Sequence, residues 1–384
     1  MIRVFSTISH GSEWLQIFII YNHIRERYNR VKEKERHGYR NMEFNENLKK
    51  AEGTEDVENG AFSESTRPRV IVITDISSMQ PGVLEPDDTE SMVRFLLYAN
   101  EVDIEGLIAC AYGEHGTRPE YIQQVVNAYG ASWKNLAAHD LRYPKPEQLL
   151  SRIAAGNCRP GNDQLGEGMD TQGSNLIISA ADKDDPRPLW ILLWGGALDL
   201  AQAVWRVSHD RTPKEAAAFR KKLRVYSIGD QYDDTGKWMK DTFPDLFYIT
   251  NYAAFRGMYR FGDTSLSSSA WVQEHVKKNG SALGTLYPDY RGGDPWGDVN
   301  GLKEGDTPSV LYIISKQPHN LDDPTQSSWG GQFQKVGPRR YQDVPEGWQP
   351  SNDANEIAKY AETIAKWRAD YQADFAKHLQ WCVK

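Results

Sequence analysis

Cysteine is scarce in this chain: Cys110, Cys158 and Cys382 are its only three, far apart and without CxxC spacing. They make no disulfide framework and do not fix the compartment. Long apolar runs are also missing. The best one near the start, Ile17 to Tyr21, is too short for a membrane span. It is short for a signal peptide as well, has no clear basic region or small-residue cleavage site around it, and is followed by a charged stretch. The default expectation is therefore a cytoplasmic protein, with secretion open if the true start lies elsewhere. Positive charge is in deficit: 45 Lys and Arg against 53 Asp and Glu give a formal net charge of −8, and no long basic stripe interrupts the globular part. Nucleic acid and membrane are thus not expected as partners. No GxGxxG follows the first strand, and GxxxxGK[ST], GxSxG and HExxH are absent. That argues against dinucleotide, P-loop, serine-hydrolase and zinc-protease chemistry.

What is present is enough for a large core. The chain has 384 residues, 39% of them hydrophobic, which suits one large α/β domain or two small ones. Residues 1 to about 66 differ from the rest. A mixed-charge run, Arg25 to Arg40, leads into an acidic Gly/Ser-containing segment, Glu52 to Ser65, and this composition predicts a mobile or poorly ordered extension ahead of a domain over 67 to 384.

The domain is organised around Arg69 to Ala109. Val70 to Ile73 form an uninterrupted β-branched run, the pattern of a strand covered on both faces. Asp75 falls at its carboxyl end. A Gly/Pro loop carrying Glu85 then leads to Asp87 and Asp88, which open a segment with Met92, Val93, Phe95, Leu96 and Leu97 on helical spacing. One helix N-cap needs one acid. Adjacent Asp87 and Asp88, with Asp75 and Glu85 able to share their crevice, would repel one another unless a cation lay between them. Calcium, which takes oxygen ligands in flexible geometry, is the simplest candidate.

The strand, loop and helix pattern recurs. Pro119 opens a helix, Leu189 to Trp194 is a buried strand followed by a helix from Ala197, and Leu223 to Ile228 is a strand ending in Gly229, Asp230, Gln231, Tyr232, Asp233 and Asp234. Leu246 to Thr250 gives a further strand, and helices are predicted over Ser174 to Ala181 and Ala270 to Lys278. Asp306 precedes the apolar run Val310 to Ile314. Asp353 to Trp381 reads as one long amphipathic helix whose stripe, including Ile357, Ile364, Tyr371 and Phe375, is core packing. The predicted fold is α/β: a doubly wound, mostly parallel sheet flanked by helices, with a long C-terminal helix. Ligands bind such sheets outside the strands' carboxyl ends, where the acid-bearing loops gather. Glu114 and His115 point to that rim.

Several of these segments resemble a known family. They are Thr74-Asp75, Glu85-Pro86-Asp87-Asp88, Leu96 to Asn100, Ile104 to Ala109, Arg187 to Trp190 and Trp194-Gly195-Gly196. Asp230-Gln231, Phe243 to Tyr248, Gly305 to Ser309, Trp329-Gly330-Gly331 and the Trp367-Arg368 tail with Trp381 extend the match. Together they resemble the cellulose-binding, nucleoside-hydrolase-like domain family. The wider nucleoside hydrolases use a doubly wound sheet and a calcium ion, and cleave an N-glycosidic bond with a metal-bound water. The resemblance implies Asp75 as base and metal ligand, Asp88, the Trp194 main-chain oxygen and Asp306 as further ligands, and Asp87, Asp230 and Gln231 as sugar-binding groups. It implies a calcium-dependent hydrolase of glycosyl bonds in a nucleoside or related substrate. The alternative is a non-catalytic carbohydrate (cellulose) binder, motivated by 12 Trp and 19 Tyr, whose faces stack on sugar rings. The partners expected are a small-molecule sugar or nucleoside, or a polysaccharide, with a homo-oligomer left open.

The chain departs from those hydrolases in three places. Ile73 replaces an acid before Thr74-Asp75. The stretch between Asp75 and Asp87 is longer, the excess falling in Ser77 to Leu84. Gly305 stands where they have a His, so His115 or His319 is the candidate acid for the leaving group.

Overall fold

The computed structural model describes residues 66–78, 86–111, 115–159, 161–232 and 234–383. Apart from Thr66, the extension lies outside them, as do most of the Ser77 to Leu84 loop, Glu85 and Glu114. Six strands follow the order expected of a doubly wound sheet: β1 (Arg69–Thr74), β2 (Asp103–Ala109), β3 (Ile153–Ala155), β4 (Leu189–Leu193), β5 (Leu223–Ile228) and β6 (Phe247–Asn251). A hairpin, β7 (Tyr290–Asp294) and β8 (Gly297–Gly301), stands apart as its own two-stranded sheet, and short β9 (Gln334–Lys335) and β10 (Arg340–Gln342) extend the main sheet. The spatial order is β3-β2-β1-β4-β5-β6-β10-β9. All neighbours are parallel except β9, which runs antiparallel to β10.

Every residue of β1 is fully buried, as the β-branched run required. Its side chains alternate between two layers. Val70 and Val72 pack with α1 (Pro86–Leu97), α2 (Pro119–His139) and the C-terminal part of the chain. Ile71 and Ile73 face α3 (Gln172–Asp182), α4 (Leu198–Asp210), α5 (Pro213–Lys222) and α6 (Thr235–Thr242). At about 1.5–3 kcal/mol for each buried branched side chain, this strand alone ties both layers to the sheet. β1 and β4 are parallel neighbours, and strands are added outward from β1 in one direction and from β4 in the other, so the carboxyl ends of these two strands frame the crevice where such sheets take ligands.

The run Val310 to Ile314 lies within a helix, α7 (Thr307–Ile314), entirely buried. Two local expectations are corrected. The helix over Ala270 to Lys278 is wound as a π-helix from Val272 to Lys277. The long C-terminal helix is two helices, α8 (Ala354–Ala365) and α9 (Arg368–Trp381). The break has a polar cause. Arg368 is buried and donates to the carbonyls of Gly257, Arg260 and Phe261 at 2.5, 2.8 and 2.7 Å. The chain turns at Lys366 and Trp367, where Trp367 N reaches only as far back as Ile364 O, at 3.0 Å. Tyr371, Phe375 and Leu379 of α9 are nevertheless core, as the stripe predicted.

Candidate functional site

Asp75 follows β1 directly and is 1% exposed. Asp87 and Asp88 lie in the first turn of α1, which faces the same crevice, and all of α1 is buried. Asp306 is the residue from which α7 starts. Thr74 Oγ1 donates to Asp88, and also accepts from the Ile76 amide at 3.1 Å, pinning the strand end to α1. Trp194, after β4, donates its indole N–H to Ser309 Oγ at 2.8 Å, and Ser309 Oγ donates to the Asp306 carbonyl at 2.7 Å. β4 and α7 are locked together by this chain. Gly195 is required by a close approach: a Cβ there would stand 2.7 Å from Asp75 Oδ1.

Asp87, Asp88 and Asp306 line one cavity of about 290 Å³, together with Gly229, Gln231, Phe255, Arg256, Tyr259, Asp294, Lys303 and Gly305. Asp75 sits behind Asp88. Burial, and then the charge of Asp87, push the Asp75 carboxyl up to about 7, against a hydrogen bond from the Tyr232 hydroxyl that lowers it. Asp88 is raised well above the usual carboxylate range by burial, then by Asp75, Asp306 and Asp87. The repulsion expected from adjacent acids is therefore present, and Asp75 Oδ1 and Asp87 Oδ1 are buried with no hydrogen-bond partner among the described residues. An all-oxygen donor set with orphaned carboxylate oxygens fits a hard cation such as calcium. Yet among the described residues no three His, Cys, Asp or Glu side chains are arranged to hold a metal. Protein donors sit on the expected ligand oxygens: Tyr232 on Asp75, Thr74 on Asp88, and Gln231 Nε2 on the Trp194 carbonyl at 2.5 Å.

The structure gathers Asp75, Asp87, Asp88, Trp194, Gln231 and Asp306 but leaves out three sequence candidates. Asp230 is turned away from the cavity, into its own polar cluster. It pairs with Lys240 and accepts from Ser227 Oγ and Tyr248 OH at 2.8 Å and Tyr252 OH at 3.0 Å. The left-handed backbone at Gly229 (φ 80°) and Asp230 (φ 50°) directs it there, and the mostly buried Lys240 ammonium requires the counter-charge. His115 is exposed and does not line the cavity. His319 lies beyond the far end of α7 from Asp306, against Tyr312. Residues missed by sequence reasoning are Arg256, Tyr259, Lys303 and Tyr232. Lys303 Nζ stands 3.5 Å from Asp87 and over the Tyr290 ring. Only Tyr232 carried a signal, its place beside Gln231.

A nucleoside-hydrolase-like α/β protein with an acidic cavity at the sheet's switch point is the class this architecture defines. The model for the cellulose-binding Sde182, nucleoside hydrolase-like domain matches residues 69–333. The chain belongs to that family. Among solved structures it is similar to a nucleoside hydrolase-related hypothetical protein from Saccharophagus degradans that is associated with carbohydrate metabolism. Identity is 33%, with 83% of this chain and 72% of that one covered and a TM-score of 0.67. A second, the inosine-uridine preferring nucleoside hydrolase from Bacillus anthracis, is 11% identical over 78% of this chain and 99% of that one, with a TM-score of 0.35. None of the curated proteins matches the chain.

Proposed function

We propose that the chain hydrolyses a glycosyl bond, of the N-glycosyl type or a related one, in a sugar-linked substrate held in the acidic cavity, with calcium as its cofactor. The observation that carries this reading is that Asp87, Asp88 and Asp306, from two separate helix starts, line one cavity in front of buried Asp75. Asp75, Asp88, Asp306 and the Trp194 carbonyl would hold the cation. A calcium ion held there would make water a stronger acid. Asp75 would accept the proton as water adds to the anomeric carbon. Asp87 and Gln231 hydrogen-bond the sugar hydroxyls. As the bond to the leaving group breaks, its proton comes from Lys303 or Tyr259, since both line the cavity and Arg256 does not deprotonate. Release of reducing sugar from a panel of ribonucleosides and oligosaccharides tests the reading. It requires turnover that is lost with EDTA and in Asp88→Ala, and activity indifferent to both would refute it.

A second reading, a carbohydrate-binding protein without turnover, is favoured by one observation. Tyr232, Thr74 and Gln231 already donate to one oxygen each of Asp75, Asp88 and the Trp194 main chain, which a cation would otherwise use. Retention on insoluble cellulose that survives Asp88→Ala, without sugar release, would select it.

A further inference from the structure

Arg256 is a charge with a fixed orientation and no ion pair among the described residues. Its Nη1 donates to the Tyr252 carbonyl at 3.0 Å, and its guanidinium lies 4.4 Å from the Phe255 ring centroid and 5.4 Å from that of Trp296. It lines the cavity beside Tyr259. It forms no ion pair among the described residues, whereas Lys303, Asp87 and Asp294 of the same cavity do. Lys303 stands against Asp87, and Asp294 is taken by Arg260 at 2.6 Å. Nε and Nη2 of Arg256 make no hydrogen bond among the described residues. A planar fork with two such nitrogens, held by a backbone carbonyl and two rings, matches a carboxylate or phosphate bidentately and stays charged at any working pH.

The cavity then asks for two kinds of chemistry. Asp87, Asp88 and Asp306 suit hydroxyls, and Arg256, contributed by the separate segment Ala254–Met258, suits an anion. We infer that the cavity takes an acidic sugar, one bearing a carboxylate or a phosphate group, with its anionic oxygens on Arg256 and its hydroxyls on the acids. This rests on the sugar-binding reading above and names the substrate class for the same cavity. An arginine with no ion pair among the described residues is what gives the preference: a neutral sugar leaves the guanidinium without a partner, and an anionic one completes it.

Isothermal titration of the full chain, with calcium present, against two matched pairs tests this: D-glucuronate with D-glucose, and D-ribose 5-phosphate with D-ribose. At least one anion binds about tenfold or more tightly than its neutral partner, in keeping with a charge-assisted hydrogen-bond pair. The glucuronate and phosphate arms identify which anion is meant. Arg256→Gln brings the ratio to within about twofold of one, and Arg256→Lys, which keeps the charge but loses the fork, leaves an intermediate ratio. Equal affinity within both pairs, a ratio that survives in Arg256→Gln, or no binding by any of the four sugars overturns the inference. Asp88→Ala separates the two readings. Anion binding that depends on Arg256 but is untouched by Asp88→Ala would sink the sugar pocket and keep the anion clamp, and neutral-sugar binding lost in Asp88→Ala with no anion preference would do the reverse.

Discussion

Replacing Asp75 by Asn should make the cation-free protein more stable, although Asp75 is the proposed base. In the calcium-free state the carboxyl is 1% exposed, faces Asp87, and titrates at about 7 rather than at 3.8. Below pH 3.8 the carboxyl is protonated in both folded and unfolded chains, so the substitution changes little. Between 3.8 and 7 the folded state keeps a proton that the unfolded chain has lost, and stability falls as pH rises. Above 7 both states are ionised and the penalty is constant. A shift from 3.8 to about 7 sets a ceiling of about 4 kcal/mol for that penalty, at about 1.36 kcal/mol per pH unit. Relaxation around the carboxylate brings the expected gain to about 2 kcal/mol at pH 8. Urea unfolding of both proteins in EDTA at pH 4 and pH 8 measures it: the gain should be absent at pH 4 and present at pH 8. Calcium should then stabilise the native chain, by about 2.7 kcal/mol at a hundredfold excess over Kd, and leave Asp75→Asn unmoved. Loss of stability at both pH values would refute the reasoning, because Asp75 would then be satisfied by its protein partners.

Two other perturbations probe the frame around the cavity. Arg94 and Glu304 are both 0% exposed and 2.5 Å apart, with Tyr287 OH donating to Glu304 at 2.7 Å and the guanidinium 3.8 Å from the Phe375 ring centroid. Arg94→Met leaves Glu304 buried without its cation and should cost about 3–5 kcal/mol in urea unfolding, a loss below about 1 kcal/mol being the contrary result. Hydrogen bonds from Arg187, chiefly its side chain, hold the Asp185 carboxyl down at about 2. That stability is present above pH 4 and lost as pH falls through 2, so Asp185→Asn should cost about 1 kcal/mol at pH 7, discounted for its partial exposure, and about 0.2 kcal/mol at pH 2. An equal cost at both pH values would mean that packing, not charge, is responsible.

The frame of the site was legible because its signals are local. The run Val70 to Ile73 could only be a doubly covered strand, the position of Asp75 followed from its end, and the first-turn acids followed from the periodicity of α1. The family order of motifs brought Trp194 and Asp306 to the same crevice. What escaped depended on conformations with no periodic signature. Gly229 and Asp230 in left-handed backbone sent Asp230 to Lys240 instead of the cavity, while Gln231 stayed in it. Arg256 and Tyr259 sit in or beside the one-turn segment Ala254–Met258, and Lys303 follows the β7–β8 hairpin. No sequence pattern announces which of their side chains will face a cavity built by three other elements. The split between α8 and α9 was hidden for a related reason, since the apolar stripe continues across it and only the carbonyls that receive Arg368 reveal the turn.

The most direct test of the central claim is a crystal of the full chain soaked with calcium and ribose. A calcium ion coordinated by Asp75, Asp88, Asp306 and the Trp194 carbonyl, with sugar hydroxyls on Asp87 and Gln231, is the expected result. Ordered protein with no density between those carboxylates, and with Tyr232 and Gln231 still donating to Asp75 and the Trp194 carbonyl, would contradict it.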